Sequence, residues 1–209
     1  MRSVDDLIRF TAAGGTVKYL PFWGHRPRAD GSVGKGCFSQ WWPAPFDVDG
    51  RSFPTAEHYM MWRKALLFDD TDTAGRVLTV EHPKQAKDLG RQVRGFDEKR
   101  WEAECFEIVV AGNLAKFGSH DELRRFLLGT GDRVLVEASP VDRIWGIGLA
   151  ADHPDAAEPT RWRGANLLGF ALMRVREELR ERDELSTVRP STVRPSAVRP
   201  GAVQQGPTG

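Results

Sequence analysis

The sequence predicts a mainly helical α+β domain with a few short strands. Helix signals recur from Thr55 onward at helical spacing, and the clearest alternating stretch is Arg133–Ala138. The regular strand–helix alternation of a doubly wound parallel sheet is missing. A length of 209 residues suits one such domain with a full-sized core.

Residues 1–17 read as a lead-in. Met1 to Phe10 carries Arg2, Asp5, Asp6 and Arg9, which is not the pattern of a signal peptide. Lys18–His25 (KYLPFWGH) and Cys37–Phe46 (CFSQWWPAPF) are aromatic-rich and broken by proline, so they predict short strands and loops. Pro54 and Thr55 start a helix over Thr55–Asp70, with Thr55 as its N-cap. A short helix over Thr73–Val80 stops before His82-Pro83. The next, Pro83–Leu89, opens on proline and stops at Gly90. Asp97 caps a long helix over Asp97–Phe117 that keeps Trp101, Cys105, Ile108 and Val109 on one side. Ser119 and Glu122 have the spacing of a capping box opening His120–Leu128, which Gly129 closes. Arg133–Ala138 is the alternating strand. Asn166–Glu184 is the last helix, with Leu168, Leu172, Val175 and Leu179 inward.

The globular domain is therefore expected over 18–184. From Ser186 the chain runs STVRP, STVRP, SAVRP, GAV and QQGPTG, a decaying repeat that cannot bury apolar surface. Residues 185–209 are expected to be a disordered or polyproline-like tail. Its arginines, Arg189, Arg194 and Arg199, could meet an acidic partner of unknown identity, or the repeat could have no role.

Bulk properties narrow the function classes. A formal net charge of +1 gives no broad basic field for nucleic acid or an anionic membrane. Cys37 and Cys105 stand far apart with no metal-binding or redox spacing, and no metal is expected. No apolar run approaches a membrane span. The composition fits a cytoplasmic setting.

The most informative stretch is Thr55–Ala65 (TAEHYMMWRKA). Glu57, Met60, Met61 and Lys64 fall at i, i+3, i+4 and i+7, one helical face. Glu57 and Lys64 are then about 10 Å apart along the axis, too far for an ion pair but within reach of one ligand. They could be surface charges, with Glu57 favoured in the first turn by the helix dipole. Ala65, Leu66, Leu67 and Phe68 instead give Lys64 apolar surroundings. Desolvation there lowers an amine's pKa and makes it a nucleophile toward carbonyl or imine carbon.

A second constellation follows the strand: Glu137-Ala-Ser-Pro-Val-Asp142-Arg-Ile-Trp145-Gly146-Ile-Gly148 places an acid, an indole and two glycines where sites form. Asp142 could orient a ribose hydroxyl or act in proton transfer, or simply cap the turn. Trp23, Gly24, His25, Phe38, Ser39, Gln40, Trp41 and Trp42 combine aromatic faces with hydrogen-bonding groups, a pattern that suits a planar heterocycle or a core of aromatics. Lys84, Lys87, Arg91 and Arg94 could hold a phosphate, with Lys84 and Arg94 better read as solvated. Gly31-Ser-Val-Gly-Lys35-Gly lacks the gap and the following Ser/Thr of a phosphate loop and is set aside.

In order along the chain, FWGH, CFSQWWP, FPTAEHYMM…KA, AKDLGR, GFD, KF, EASPVDRIWGIG and W-x-G-x-N-L-L-G resemble the NADAR family, its YbiA-like branch in particular. The likeness covers about Lys18 to Leu179. The repeat tail lies outside it, and His153–Glu158 departs from its pattern. The resemblance implies an N-glycosidase without a cofactor. On it, Glu57 and Lys64 match the family's acidic residue and lysine on the first long helix. Asp142, Trp145, Gly146 and Gly148 match its second signature, Asn166 its last, and Lys87 and Arg91 its AK-x-LGR element. The implied substrate is a small phosphorylated ribosylamine, namely a ribosylaminopyrimidine intermediate of riboflavin biosynthesis. One alternative is release of ADP-ribose from ADP-ribosylated guanine in nucleic acid. Another is a non-catalytic module that binds ADP-ribose or a flavin precursor.

Overall fold

A computed structural model describes residues 1–188. Helix α1 (Val4–Ala12) forms within the expected lead-in: Ser3 caps it by accepting from the Asp6 amide, and Leu7 is fully buried. Strand β1 (Tyr19–Phe22) follows, then a 3-10 turn at Lys35–Phe38, β2 (Phe46–Val48) and β3 (Arg51–Phe53). The helices α2 (Ala56–Leu67), α3 (Thr71–Val77), α4 (Pro83–Gly90), α5 (Glu98–Ser119) and α6 (Asp121–Leu128) come next. Strand β4 (Val134–Glu137), two 3-10 turns at Pro154–Ala157 and Pro159–Arg161, and α7 (Leu167–Val188) complete the described residues. The mainly helical α+β class is thus observed.

Two small sheets serve the helices. Strands β1 and β4 pair in parallel, Tyr19 opposite Val134 and Phe22 opposite Glu137. A parallel pair needs a long crossover, and here α2 to α6 lie between its strands. Strands β2 and β3 form a hairpin across Asp49-Gly50, both at positive φ (52° and 70°). That dipeptide suits a tight turn whose twist matches the strands.

Helix α2 lies at the centre, packed on α3, α4, α5 and β3. Ala56 through Trp62 are all buried, so α2 buries nearly its whole circumference rather than one stripe. Thr55 stands at its N-cap but makes no side-chain cap bond; its hydroxyl pairs with His58 Nδ1 at 2.8 Å. The short helix expected over Thr73–Val80 begins earlier, because the Asp70 carboxylate caps it by accepting from the Thr73 amide. The capping box at Ser119 is absent. Helix α5 runs through Ser119, and His120 joins it to α6 while donating from Nε2 to the Pro45 carbonyl at 2.7 Å. Helix α7 continues to Val188, into the first repeat, and the rest of the expected tail lies outside the described residues. No helix among the described residues is long and apolar enough to cross a membrane.

Candidate active site

The C-terminal ends of the parallel pair open onto one cavity of about 720 Å³. Its lining comes from the segment after β1 (Trp23, Gly24, His25), the loop before β2 (Ser39, Gln40, Trp41) and α2 (Glu57, Met60, Met61, Lys64). The end of α4 (Lys87, Gly90, Arg91), Trp101 of α5, the end of β4 with its loop (Glu137, Ser139, Val141, Asp142, Trp145) and Leu168 of α7 close it. The structure therefore brings Glu57, Lys64, Asp142, Lys87, Arg91 and Trp145 to one place with Trp23, Gly24, His25, Ser39, Gln40 and Trp41 of the aromatic-rich segments, while Trp42 packs in the core.

Four expected site residues are not in the lining. Phe38 is fully buried, because the 3-10 turn at Lys35–Phe38 points it into the core against Phe22, Phe117 and Phe126. Gly146 is a packing residue: a Cβ there would come within 2.8 Å of the Glu137 carbonyl. Gly148 makes a turn at φ +68°, its amide donating to the Asp142 carbonyl at 3.0 Å. Asn166 is fully buried at φ +53°; it accepts from the Glu137 amide and donates to the Leu135 carbonyl, both at 2.9 Å. These residues set the frame rather than the lining.

Glu57 is only 3 % exposed. Its amide donates to the Gln40 carbonyl at 3.0 Å, which ties the first turn of α2 to the aromatic loop. Its Oε1 has no hydrogen-bond partner. Burial pushes the carboxyl up to about 7, against the pull of Lys87 and a hydrogen bond from Trp41. Lys64 is half-buried, and its Nζ sits 4.2 Å from the Phe96 ring centre and 5.4 Å from that of Trp101. Those rings favour the charged amine, yet desolvation prevails and lowers its pKa.

The Asp142 carboxylate accepts from the amides of Ile144 (2.9 Å) and Trp145 (2.8 Å), so it shapes its own turn while facing the cavity. Trp41 is a hub: His25 lies 5.7 Å away, His82 6.0 Å, and Lys87 Nζ 6.0 Å from its ring. Lys87 and Arg91 stand one helical turn apart on α4. That helix can approach α2 closely because Gly90 carries no side chain; a Cβ there would lie 2.0 Å from Met61 Sδ. Lys84 pairs with Asp88, and Arg94 pairs with Asp70, leaving both out of the lining.

The loop Cys37–Trp41 is fastened from below by α5. Lys116, fully buried, donates from Nζ to the Cys37 carbonyl at 2.7 Å and the Ser39 carbonyl at 2.9 Å. Asn113 donates to Gln40 Oε1 at 2.8 Å. Asn113 carries no sequence signal, and Lys116, although it opens the KF motif quoted above, has no role assigned there, because a lysine and an asparagine on a long helix look like surface groups. Glu137 was also missed, although it lies in a quoted motif. It lines the cavity, and burial pushes it up to about 8, helped by Asp142 and opposed by Lys87.

Known proteins are similar to this chain in sequence and in fold. The NADAR domain model matches residues 21–180. An N-glycosidase of Acanthamoeba polyphaga mimivirus is 41% identical over 168 residues, 78% of this chain and 97% of that protein. N-glycosidase YbiA of Escherichia coli is 34% identical over 144 residues, 69% of this chain and 81% of that protein. The NMR structure of Escherichia coli YbiA superposes with a TM-score of 0.64 at 30% identity, covering 80% of this chain and 88% of that one. With its central helix, both strand ends and the last signature all inside the matched span, the chain belongs to the NADAR family.

Proposed function

We propose that this protein is an N-glycosidase that hydrolyses the bond between ribose C1′ and an exocyclic amine in a phosphorylated ribosylaminopyrimidine. The observation that carries this reading is that Lys64, Glu57, Asp142 and Lys87 all face one aromatic-walled cavity. The N-glycosidase names of its relatives support the bond type.

A glycosylamine opens to an imine, unlike an ordinary ring-nitrogen nucleoside. Glu57 gives a proton to the ring oxygen as the C1′–O bond breaks and the nitrogen lone pair forms the C1′=N bond. The neutral Lys64 amine then attacks C1′, and the ammonium formed there gives a proton to the Glu57 carboxylate, which restores that acid and frees the nitrogen lone pair. The pyrimidine amine leaves with the electron pair of its C1′–N bond and a proton. The Lys64 Schiff base that remains is hydrolysed by water, which frees the sugar phosphate. Asp142 orients a ribose hydroxyl, Lys87 and Arg91 neutralise the phosphate, and Trp41, His25 and Trp145 hold the base.

The test is to incubate the protein separately with ribosylaminopyrimidine phosphates and with ADP-ribosylated guanine DNA. Release of ribose 5-phosphate from the first supports the reading. Release of ADP-ribose only from the second replaces the substrate, and tight binding without release replaces the enzyme with a binding module.

A further inference from the structure

Glu137 closes β4, and its main chain is held at both polar groups. Its amide donates to Asn166 Oδ1 at 2.9 Å, and its carbonyl accepts from the amides of Ser139 and Ile147, each at 2.9 Å. Gly146 packs directly on that carbonyl. This much fixation leaves the side chain little choice but to point into the cavity it lines. Its Oε2 is buried with no hydrogen-bond partner. A buried unpaired carboxyl oxygen costs stability, and an apolar residue would fill the same place without that cost. The titratable and charged groups lining the same cavity are Glu57 and Lys64 from α2, Lys87 from α4 and Arg91 at its C-cap, Asp142 from the following loop and His25 from the segment after β1, and of these Asp142, Lys87 and Glu57 act on the Glu137 charge.

We propose that Glu137 is the acid that protonates the departing amine, leaving Glu57 to serve the sugar ring oxygen. This assignment rests on the N-glycosidase reading above. In the step concerned the C1′–N bond breaks and its electron pair stays on the amine nitrogen. That nitrogen takes the Glu137 proton, and C1′ becomes doubly bonded to the Lys64 nitrogen. The Glu137 carboxylate then takes a proton from the water that attacks C1′, which restores the acid. Two buried carboxyls on one cavity divide the work because a proton is needed at two atoms on opposite bonds of C1′. The carboxyl is protonated at neutral pH for a physical reason: burial and the Asp142 charge both oppose its ionisation.

The test compares pH profiles and leaving groups. Amine release is measured from about pH 5 to about pH 10 on a ribosylaminopyrimidine 5′-phosphate and on the ribosylamine 5′-phosphate of para-nitroaniline, whose amine is a far weaker base. The parent protein is expected to lose kcat/KM on the alkaline side, near about 8. Glu137→Gln is expected to remove that alkaline decline and to lower kcat on the pyrimidine substrate by about 10²–10³-fold. On the para-nitroaniline substrate the loss should be under about tenfold, because that leaving group needs little protonation. Equal losses on both substrates, or an alkaline decline that survives the substitution, overturn the assignment. A parent protein active on both substrates with Glu137→Gln unimpaired overturns this assignment alone. A parent inert on both overturns the N-glycosidase reading and this one together. If Glu137→Gln does not fold, the parent decides: its rate should depend weakly on amine basicity below the alkaline decline and steeply above it.

Discussion

Glu57 and Lys64 place opposite demands on one cavity. The amine must lose its proton to attack, and the carboxyl must keep one to give. Burial serves both, lowering Lys64 and raising Glu57. Glu57→Gln keeps the shape of the side chain and removes the proton transfer. It is expected to lower kcat about 10²–10⁴-fold with KM little changed, read in the amine-release assay. A fall in kcat/KM carried by KM alone would make Glu57 a binding residue. Glu57 and Lys64 were legible because they share one apolar helical stripe, Asp142 because it stands in a glycine-bearing loop after a strand, and Lys87 and Arg91 because of their helical spacing and the AK-x-LGR element. Glu137 was not, since a carboxylate ending an alternating VLVE run reads as the solvent side of a strand. Only the pairing of β4 with β1 and the Asn166 clamp turn that position inward. Phe38 fails for the converse reason. In a run of aromatics, one 3-10 turn decides which ring enters the core and which residues face the cavity, and spacing does not reveal that turn.

At the scale of elements, the cavity depends on how α5 holds the loop before β2. Asn113 donates to Gln40 Oε1 and to the Val109 carbonyl, and Gln40 in turn accepts the Glu57 amide on its own carbonyl. Asn113→Ala leaves a buried acceptor unpaired and loosens Ser39–Trp41. It is expected to cost about 1–3 kcal/mol, seen as a lower melting temperature, and to raise KM more than it lowers kcat. An unchanged KM would mean that the loop holds its place without this bond. The long elements were readable from their punctuation. Asp97 caps α5 as expected, its Oδ1 accepting from the Arg100 amide at 2.7 Å, and Gly90 and Gly129 close α4 and α6 near the expected positions. The short ones were not. Helix α1 did carry a signal, Val4, Leu7 and Ile8 at helical spacing behind the Ser3 cap, but its nine residues bury only Leu7 fully, and the charges around them read as a lead-in. The β2–β3 hairpin has three residues on each side, too few for alternation to register, although Asp49-Gly50 was the available signal.

The whole molecule carries its buried acids at a cost that depends on pH. Glu57 and Glu137 hold protons more tightly folded than unfolded, so their stabilising contribution is full below the ordinary carboxylate range. It is lost as pH rises through about 7 and about 8 respectively. Lys116 works the other way. Burial holds it down to about 7, so its contribution grows as pH rises above that value. Comparison with a Glu57→Gln/Glu137→Gln double variant cancels the Lys116 effect. The two proteins should melt at similar temperatures near about pH 5, and the double variant should gain several degrees near about pH 9, on the order of 2–4 °C per kcal/mol. Parallel melting curves across that range would mean that neither carboxyl is held protonated by the fold. The central claim, that Lys64 attacks C1′ in this cavity, is met most directly by borohydride trapping with a ribosylaminopyrimidine 5′-phosphate, followed by peptide mass mapping. A reduced pentose-phosphate adduct on Lys64 that disappears in Lys64→Arg is expected. Turnover with no adduct, or an adduct on another lysine, would contradict it.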